Sequence, residues 1–326
     1  RNIIMKVLII GAGGMIGQKL VKKLLHQDFN YFQFKEIFLF DLYLPKYKDN
    51  RIRRVIGTVD NSAILKELSS ERFGLIFYLA SVVSGEAEEN FEKGWNVNLF
   101  SMWNFLSALK VEHLNSSRKY IPKVIFTSSI AVFGSPFPDK IDDEFLCSPQ
   151  TSYGAQKASI EILISDFSRK GFINGISLRL PTICVRPGKP NKAASGFFSN
   201  IIREPLNGKK AYLPVDPSVR HWHASPRSAV NFLIHAVSLE TFQLENRRSL
   251  NLPGVSCTVE EQIESLRSIA GQKAVDLIVS KKDLSIQHMV KGWPKNFSPL
   301  KASRLGFKSE NNFNEIIKVF IEDDLN

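Results

Sequence analysis

Tyr153 and Lys157 stand four residues apart in "TSYGAQKASI" (151–160), a stretch otherwise made mostly of small residues. On a helix this spacing puts both side chains on one face, one turn apart, so a phenol would lie in the field of a permanent cation. A free tyrosine loses its proton only near pH ~10, too high for a good base at neutral pH. A neighbouring ammonium favours the tyrosinate and lowers that pKa. Such a base would suit hydride transfer from a carbinol, whose hydroxyl proton must go somewhere. Ser129 closes the apolar run "KVIFTSS" (123–129), and its hydroxyl could hold the substrate oxygen beside the phenol. Tyr, Lys and Ser together handle a proton without metal.

Elements that could position this set are legible around it. "MKVLII" (5–10), "IFLFD" (37–41), "GLIFYLA" (74–80), "KVIFTSS" and "ISLRLP" (176–181) read as strands apolar on both faces, with "RVIGTV" (54–59) a weaker candidate. Parallel sheets covered by helices need such strands. Between them, helical patterns run over 16–27, 61–71, about 88–112 and 152–170. The alternation implies an α/β fold, a doubly wound parallel Rossmann sheet. Its strand ends, where ligands of open α/β sheets bind, would include Ser129. After Pro181, "TICVRPGKPNKAASG" reads as a long loop. A smaller C-terminal part then carries helices at 195–205, over "SPRSAVNFLIHAVSL" (225–239) and at 258–270, the last opened by Thr258 with Glu261 three residues on, a capping box. The expected division is a dinucleotide-binding domain over 1–182, with 220–255 returning to it, and a mostly separate substrate-binding domain over 183–326.

"GAGGMIG" (11–17) joins the first strand to the first helix and spaces Gly11, Gly14 and Gly17 as GxxGxxG. Glycines there allow a tight turn and close approach of the backbone to a pyrophosphate. The helix N-terminus, with Met15 and Ile16, offers free N–H groups and a positive dipole to the phosphates. Asp41 ends the second strand, where a carboxylate accepts hydrogen bonds from ribose hydroxyls and repels a 2′-phosphate. NAD is therefore the expected cofactor rather than NADP, a preference softened by Lys46 and Lys48.

The formal net charge is +11, yet the basic residues are scattered and not interleaved with aromatics, which argues against nucleic acid. An anionic cofactor and an anionic substrate suit the same balance. No apolar run approaches a membrane span, no signal-peptide pattern precedes "MKVLII", and Cys147, Cys184 and Cys257 form no disulfide framework, so a cytoplasmic protein is expected. His221 and His223 lack the neighbours of a metal site and read as packing or solvent-facing residues.

Taken together, "GAGGMIG", the Ser129 strand end and "YGAQK" resemble the extended branch of the short-chain dehydrogenase/reductase superfamily, a likeness that covers nearly the whole chain. "SVVSGEAEENFEKGWNVN" (81–98), "LRLPTICVRPGKPNKAASGFFSNIIREPL" (178–206) and "VRHWHASPR" (219–227) are similar to members that oxidise the C2 hydroxyl of a four-carbon sugar acid with NAD. The resemblance implies that Tyr153 is the general acid/base, that Lys157 binds the nicotinamide ribose and lowers the tyrosine pKa, and that Ser129, or the adjacent Ser128, orients the hydroxyl. It implies cofactor contacts at Asn98, Ala80 and Pro181. Thr58 and Val59 fall where relatives carry an Asp and an apolar residue against adenine, with Asp60 displaced. For the substrate, Arg220 is the leading anchor of a carboxylate, followed by Arg186 and Lys192, and Ser84 is placed to bond a hydroxyl. Relatives pair through two long helices, so a homodimer is expected. A nucleotide-sugar epimerase or dehydratase is the alternative function.

Overall fold

A computed structural model describes residues 3–27, 29, 32–189 and 193–325. Seven parallel strands build its central sheet: β1 (Ile3–Ile10), β2 (Phe32–Asp41), β3 (Ile52–Ile56), β4 (Leu75–Tyr78), β5 (Lys123–Ser129), β6 (Asn174–Leu180) and, after three strands that belong elsewhere, β10 (Ser249–Asn251). Their order is β3-β2-β1-β4-β5-β6-β10. The chain runs outward from β1 in one direction through β2 and β3, then returns to the other side for β4. That reversal leaves a crevice between the carboxyl ends of β1 and β4, where ligands of such sheets bind.

The continuous apolar strands feed two cores at once. Val7 and Ile9 of β1 enter one cluster with Leu20, Val21 and Leu24 of α1 (Met15–His26). Leu8 and Ile10 enter another with Leu65 of α2 (Ser62–Ser70). Alternation along a strand sends successive side chains to opposite faces, so a strand buried on both sides must be apolar at every position. The second cluster also takes Phe105 and Leu109, and Ile160 and Ile164.

The helical pattern over 88–112 is not one helix. It divides into α3 (Ser84–Glu89), α4 (Phe91–Gly94), a π-helical turn over Trp95–Phe100 and α5 (Ser101–Asn115). Asn90 ends the first piece and caps the next, its side chain accepting from the Lys93 N–H. Asparagine competes with the helix for backbone groups in this way. The π turn carries Asn98 into the interior. By contrast, α6 (Ser152–Arg169) is unbroken, and Thr151 caps it by accepting from the Gly154 N–H.

Beyond β6, β7 (Thr182–Ile183), β9 (Arg220–Ala224) and β11 (Val255–Thr258) make a three-stranded sheet. β8 (Ala211–Leu213) pairs with a strand at Ile278–Ser280. A third core gathers Phe197, Phe198, Ile201 and Ile202 of α7 (Gly196–Leu206) with Ile316, Ile317 and Phe320 of the helix Phe313–Asp323. Ala224 at the end of β9 enters the first core, and α8 (Pro226–Ser238) packs Ala229, Val230 and Leu233 into it. α9 (Val259–Ala270) opens with the expected capping box of Thr258 and Glu261.

Candidate active site

The glycine loop is shaped by contacts that tolerate no side chain. Gly11 has φ +88°, and a Cβ on it would lie 2.5 Å from the Ala80 nitrogen; one on Gly17 would lie 2.4 Å from the Gly11 carbonyl oxygen. Both clashes are with backbone, so these glycines lock the loop against β4 and start α1 close to the sheet. Gly14 differs: its added Cβ would meet only the Gly11 oxygen, at 3.5 Å. No side chain caps α1, which leaves its first N–H groups for a ligand. Gly14, Met15, Ile16 and Gly17 line a cavity of about 670 Å3.

A second cavity, of about 870 Å3, adjoins the first and shares Gly11, Gly14, Leu79 and Ser81 with it. Asp41, Thr58, Val59, Asp60 and Ala80 line this lobe. The Asp41 carboxylate accepts from the Gly13 N–H at 2.9 Å and the Leu42 N–H at 2.7 Å, so it is held at the rim of the loop. Two lobes joined at an uncapped helix N-terminus fit an extended dinucleotide with its phosphates in the middle. Asn98 lines neither lobe. Its amide accepts from the Val82 N–H at 2.7 Å, donates to the Val82 carbonyl at 3.2 Å and donates to Gln156 Oε1 at 2.7 Å. It therefore braces the chain after β4, an indirect place for a residue expected at the cofactor.

Tyr153, Lys157, Ser129 and Pro181 all line the first cavity. Gly154 brings them together, since a Cβ there would lie 2.1 Å from the Ala131 carbonyl oxygen. The first turn of α6 is thus pressed onto the segment leaving β5. Ser129 accepts from the Ala131 N–H at 3.1 Å. Ser128 is spoken for: its hydroxyl donates to Glu161 at 2.5 Å, inside a buried ion pair between Glu161 and Arg179. Ser129 is the serine at the phenol.

The electrostatics differ from the expected ones. The Lys157 ammonium nitrogen donates to the Thr127 carbonyl at 2.8 Å and sits 5.4 Å from the centre of the Tyr153 ring, over its face. Burial lowers its pKa to about 7, against an opposing pull from Glu161. Burial raises the Tyr153 pKa, and the charge that opposes this comes from Arg186, aided by hydrogen bonding from Ser129 and Ser81. The charge that counters burial at the phenol is thus that of an arginine from the loop after β7. Ser81 was missed in the sequence because nothing distinguishes it from other residues of "LASVVSG"; Asn98 holds it in place through Val82 and a contact to the Ser81 hydroxyl at 3.2 Å.

Arg186 lines the same cavity. Its guanidinium donates to the Ile183 carbonyl at 3.0 Å and the Ser195 hydroxyl at 2.7 Å, and among the described residues no carboxylate pairs with it. A part-buried cation without a counter-charge is suited to an anionic ligand. Arg220, the leading sequence candidate, is elsewhere. It begins β9 with its side chain donating to the Ser256 carbonyl at 3.2 Å and to Glu261 at 3.3 Å, and it lines neither lobe. Strand alternation gives the cavity its neighbour His221 instead. Ser84, first residue of α3, lines the cavity; Lys192 lies outside the described residues. Among the described residues no group of three His, Cys, Asp or Glu could hold a metal ion.

The family model for the NAD-dependent epimerase/dehydratase family matches residues 7–225. The chain belongs to that family. It is 41% identical to a D-erythronate dehydrogenase of Cupriavidus necator over 98% of both chains, and 41% identical to a D-erythronate dehydrogenase of Haemophilus influenzae over 98% of this chain and all of that one. Among solved structures it superposes with a TM-score of 0.95 on a nucleoside-diphosphate-sugar epimerase from Agrobacterium tumefaciens, at 47% identity over 99% of this chain and 96% of the other. An L-threonine dehydrogenase from Clostridium difficile superposes at 0.83 with 22% identity over the full length of both, a likeness of fold.

As a member of this epimerase/dehydratase family with dehydrogenase relatives, the protein is an oxidoreductase that uses a nicotinamide cofactor. The cavity supplies what such chemistry asks of the chain: a phenol and a serine hydroxyl at one point, a buried amine beneath them, and an arginine facing the same space.

Proposed function

We propose that the protein oxidises the C2 hydroxyl of a short sugar acid, D-erythronate, to 2-oxo-tetronate with NAD. The reading rests on one observation: Arg186, a cation with no acidic partner among the described residues, lines the cavity of Tyr153 and Ser129. Gly11, Gly14, Met15, Ile16 and Gly17 would hold the pyrophosphate, Asp41 the adenosine ribose, Val59 and Ala80 the adenine side, and Lys157 and Pro181 the nicotinamide end. A bound oxidised nicotinamide would supply the hydride acceptor for C2 and a positive charge within the cavity. Arg186 receives the substrate carboxylate, with Ser84 as a further hydroxyl contact. Ser129 orients the C2 hydroxyl, and Tyr153 takes its proton. Lys157, poised near neutrality, steadies the tyrosinate. We assign residues 1–182 and 220–255 to the dinucleotide and most of the remainder of 183–326 to the substrate. Exposed Phe100, Trp103, Leu114 and Ile162 on and near α5 and α6 support a homodimer, and three free cysteines fit a reducing cytoplasm.

The 47% identical structure described as a nucleoside-diphosphate-sugar epimerase keeps a second reading in play. One assay separates them: purified protein with NAD and D-erythronate, followed by absorbance of the reduced cofactor, beside UDP- and GDP-sugars analysed for epimers. NADH formation with erythronate and no change in the nucleotide sugars is the expected result. Conversion of a nucleotide sugar with no NADH from short 2-hydroxy acids would overturn the proposal.

A further inference from the structure

Thr182 and His221 meet in the cavity that holds Tyr153, Ser129 and Arg186. Thr182 Oγ1 lies 2.6 Å from His221 Nε2, and His221 Nδ1 lies 2.7 Å from the Pro294 carbonyl oxygen. A carbonyl only accepts hydrogen bonds, so Nδ1 carries the ring hydrogen. The imidazole is 3% exposed and stacks on Phe198 with centroids 5.2 Å apart. Burial, reinforced by the Arg186 charge and opposed by the Pro294 contact, lowers its pKa to about 4. A neutral ring protonated at Nδ1 offers only a lone pair at Nε2. The Thr182 hydroxyl must therefore donate to His221, which leaves the remaining lone pairs on Oγ1 of this cavity-lining residue as acceptors.

We infer that Thr182 is a specificity residue that accepts a hydrogen bond from a substrate hydroxyl other than the one oxidised, with His221 as the positioning residue that sets its polarity. The inference rests on the dehydrogenase reading above. In that reaction the C2 hydroxyl delivers its proton to Tyr153, so it has none to donate to Thr182. The hydrogen bond must come from a second hydroxyl of the same molecule. Arg186 offers only donors and Thr182 only an acceptor, so the cavity distinguishes the anionic end of a ligand from its hydroxyl-bearing end. The substrate class is thereby a polyhydroxy acid. A methyl or keto group in that place leaves the threonine oxygen unpaired, and sites built to bond a hydroxyl discriminate strongly against analogues that lack it.

The test compares D-erythronate with 2-hydroxybutyrate of the same C2 configuration, which keeps four carbons and the reacting hydroxyl but lacks the others. Wild type, Thr182→Val and Thr182→Ser are assayed with NAD, and NAD dissociation is measured for each. Thr182→Val is expected to lower kcat/KM for erythronate ~100-fold. It should change that for 2-hydroxybutyrate by less than ~3-fold and leave NAD dissociation unchanged, while Thr182→Ser restores most of the erythronate activity. Nitrogen NMR of the wild-type protein should show His221 as the Nδ1–H tautomer, a result independent of any variant. An equal loss on both acids, or an Nε2–H tautomer, overturns the inference alone. Wild-type protein that turns over neither acid overturns the dehydrogenase reading and this inference with it.

Discussion

At the scale of single residues, Tyr153, Lys157 and Ser129 line one cavity with Arg186, whose charge opposes the effect of burial on the phenol. Tyr153, Lys157 and Ser129 could be read from spacing and from the position of a serine at a strand end, because helix and strand periodicity fix direction. Arg220 and Arg186 could not be ranked that way. Each sits in a segment whose orientation depends on tertiary partners, and Glu261 draws Arg220 outward while the Ile183 carbonyl and Ser195 hold Arg186 inward. The same geometry yields a pH prediction. Burial raises the Tyr153 pKa and Arg186 opposes it, so the rate of oxidation should climb with pH as the phenol ionises. Facing the phenol are Arg186, Ser129, Ser81 and the Lys157 amine. Removing the arginine charge by Arg186→Gln takes away a stabiliser of the tyrosinate. The ascending limb of kcat against pH should then move to higher pH, and KM for the acid should rise. A limb unmoved in this variant would mean that Arg186 does not act on the phenol.

At the scale of elements, β5 and α6 are joined beneath the site by polar groups that the sequence does not advertise. Ser128 donates to Glu161, and Glu161 receives Arg179 through both carboxylate oxygens, at 2.7 to 3.1 Å. Glu161 lies one turn beyond Lys157, so Ser128 ties the strand end of Ser129 to the helix of Tyr153 while Arg179 ties that helix to β6. It could not have been foreseen, since Arg179 falls on β6, in a run that reads as buried strand. Breaking a buried ion pair by removing one partner leaves the other charge uncompensated, at a cost of about 3–5 kcal/mol. Glu161→Ala should show a loss of that order in urea unfolding, while Glu161→Gln, which keeps an acceptor for Arg179, should lose less. Equal stability of all three proteins would remove the tie. The broken helix over 84–115 has a comparable cause, since the π turn that swings Asn98 onto Val82 answers to a tertiary contact rather than to local periodicity.

At the scale of the whole molecule, the parallel sheet followed from the alternation of apolar runs and amphipathic helices, because a parallel sheet buried on both faces leaves that signature. The smaller region was less legible: its strands are short, and its core is assembled from segments as distant as Phe198 and Phe320. Ile162 is 71% exposed and Trp103 49% exposed, apolar surface suited to a second copy of the chain. Ile162→Glu should shift the protein toward monomer in sedimentation, and a wild-type protein already monomeric at high concentration would exclude the homodimer. The central claim is that one phenol takes the proton of the acid's C2 hydroxyl, and it is met most directly by NADH formation from NAD and D-erythronate, wild type against Tyr153→Phe, with NAD binding checked in both. Wild-type turnover should rise with pH, and Tyr153→Phe should lose at least ~100-fold, the scale of general-base catalysis, while still binding NAD. Full turnover by Tyr153→Phe would contradict it.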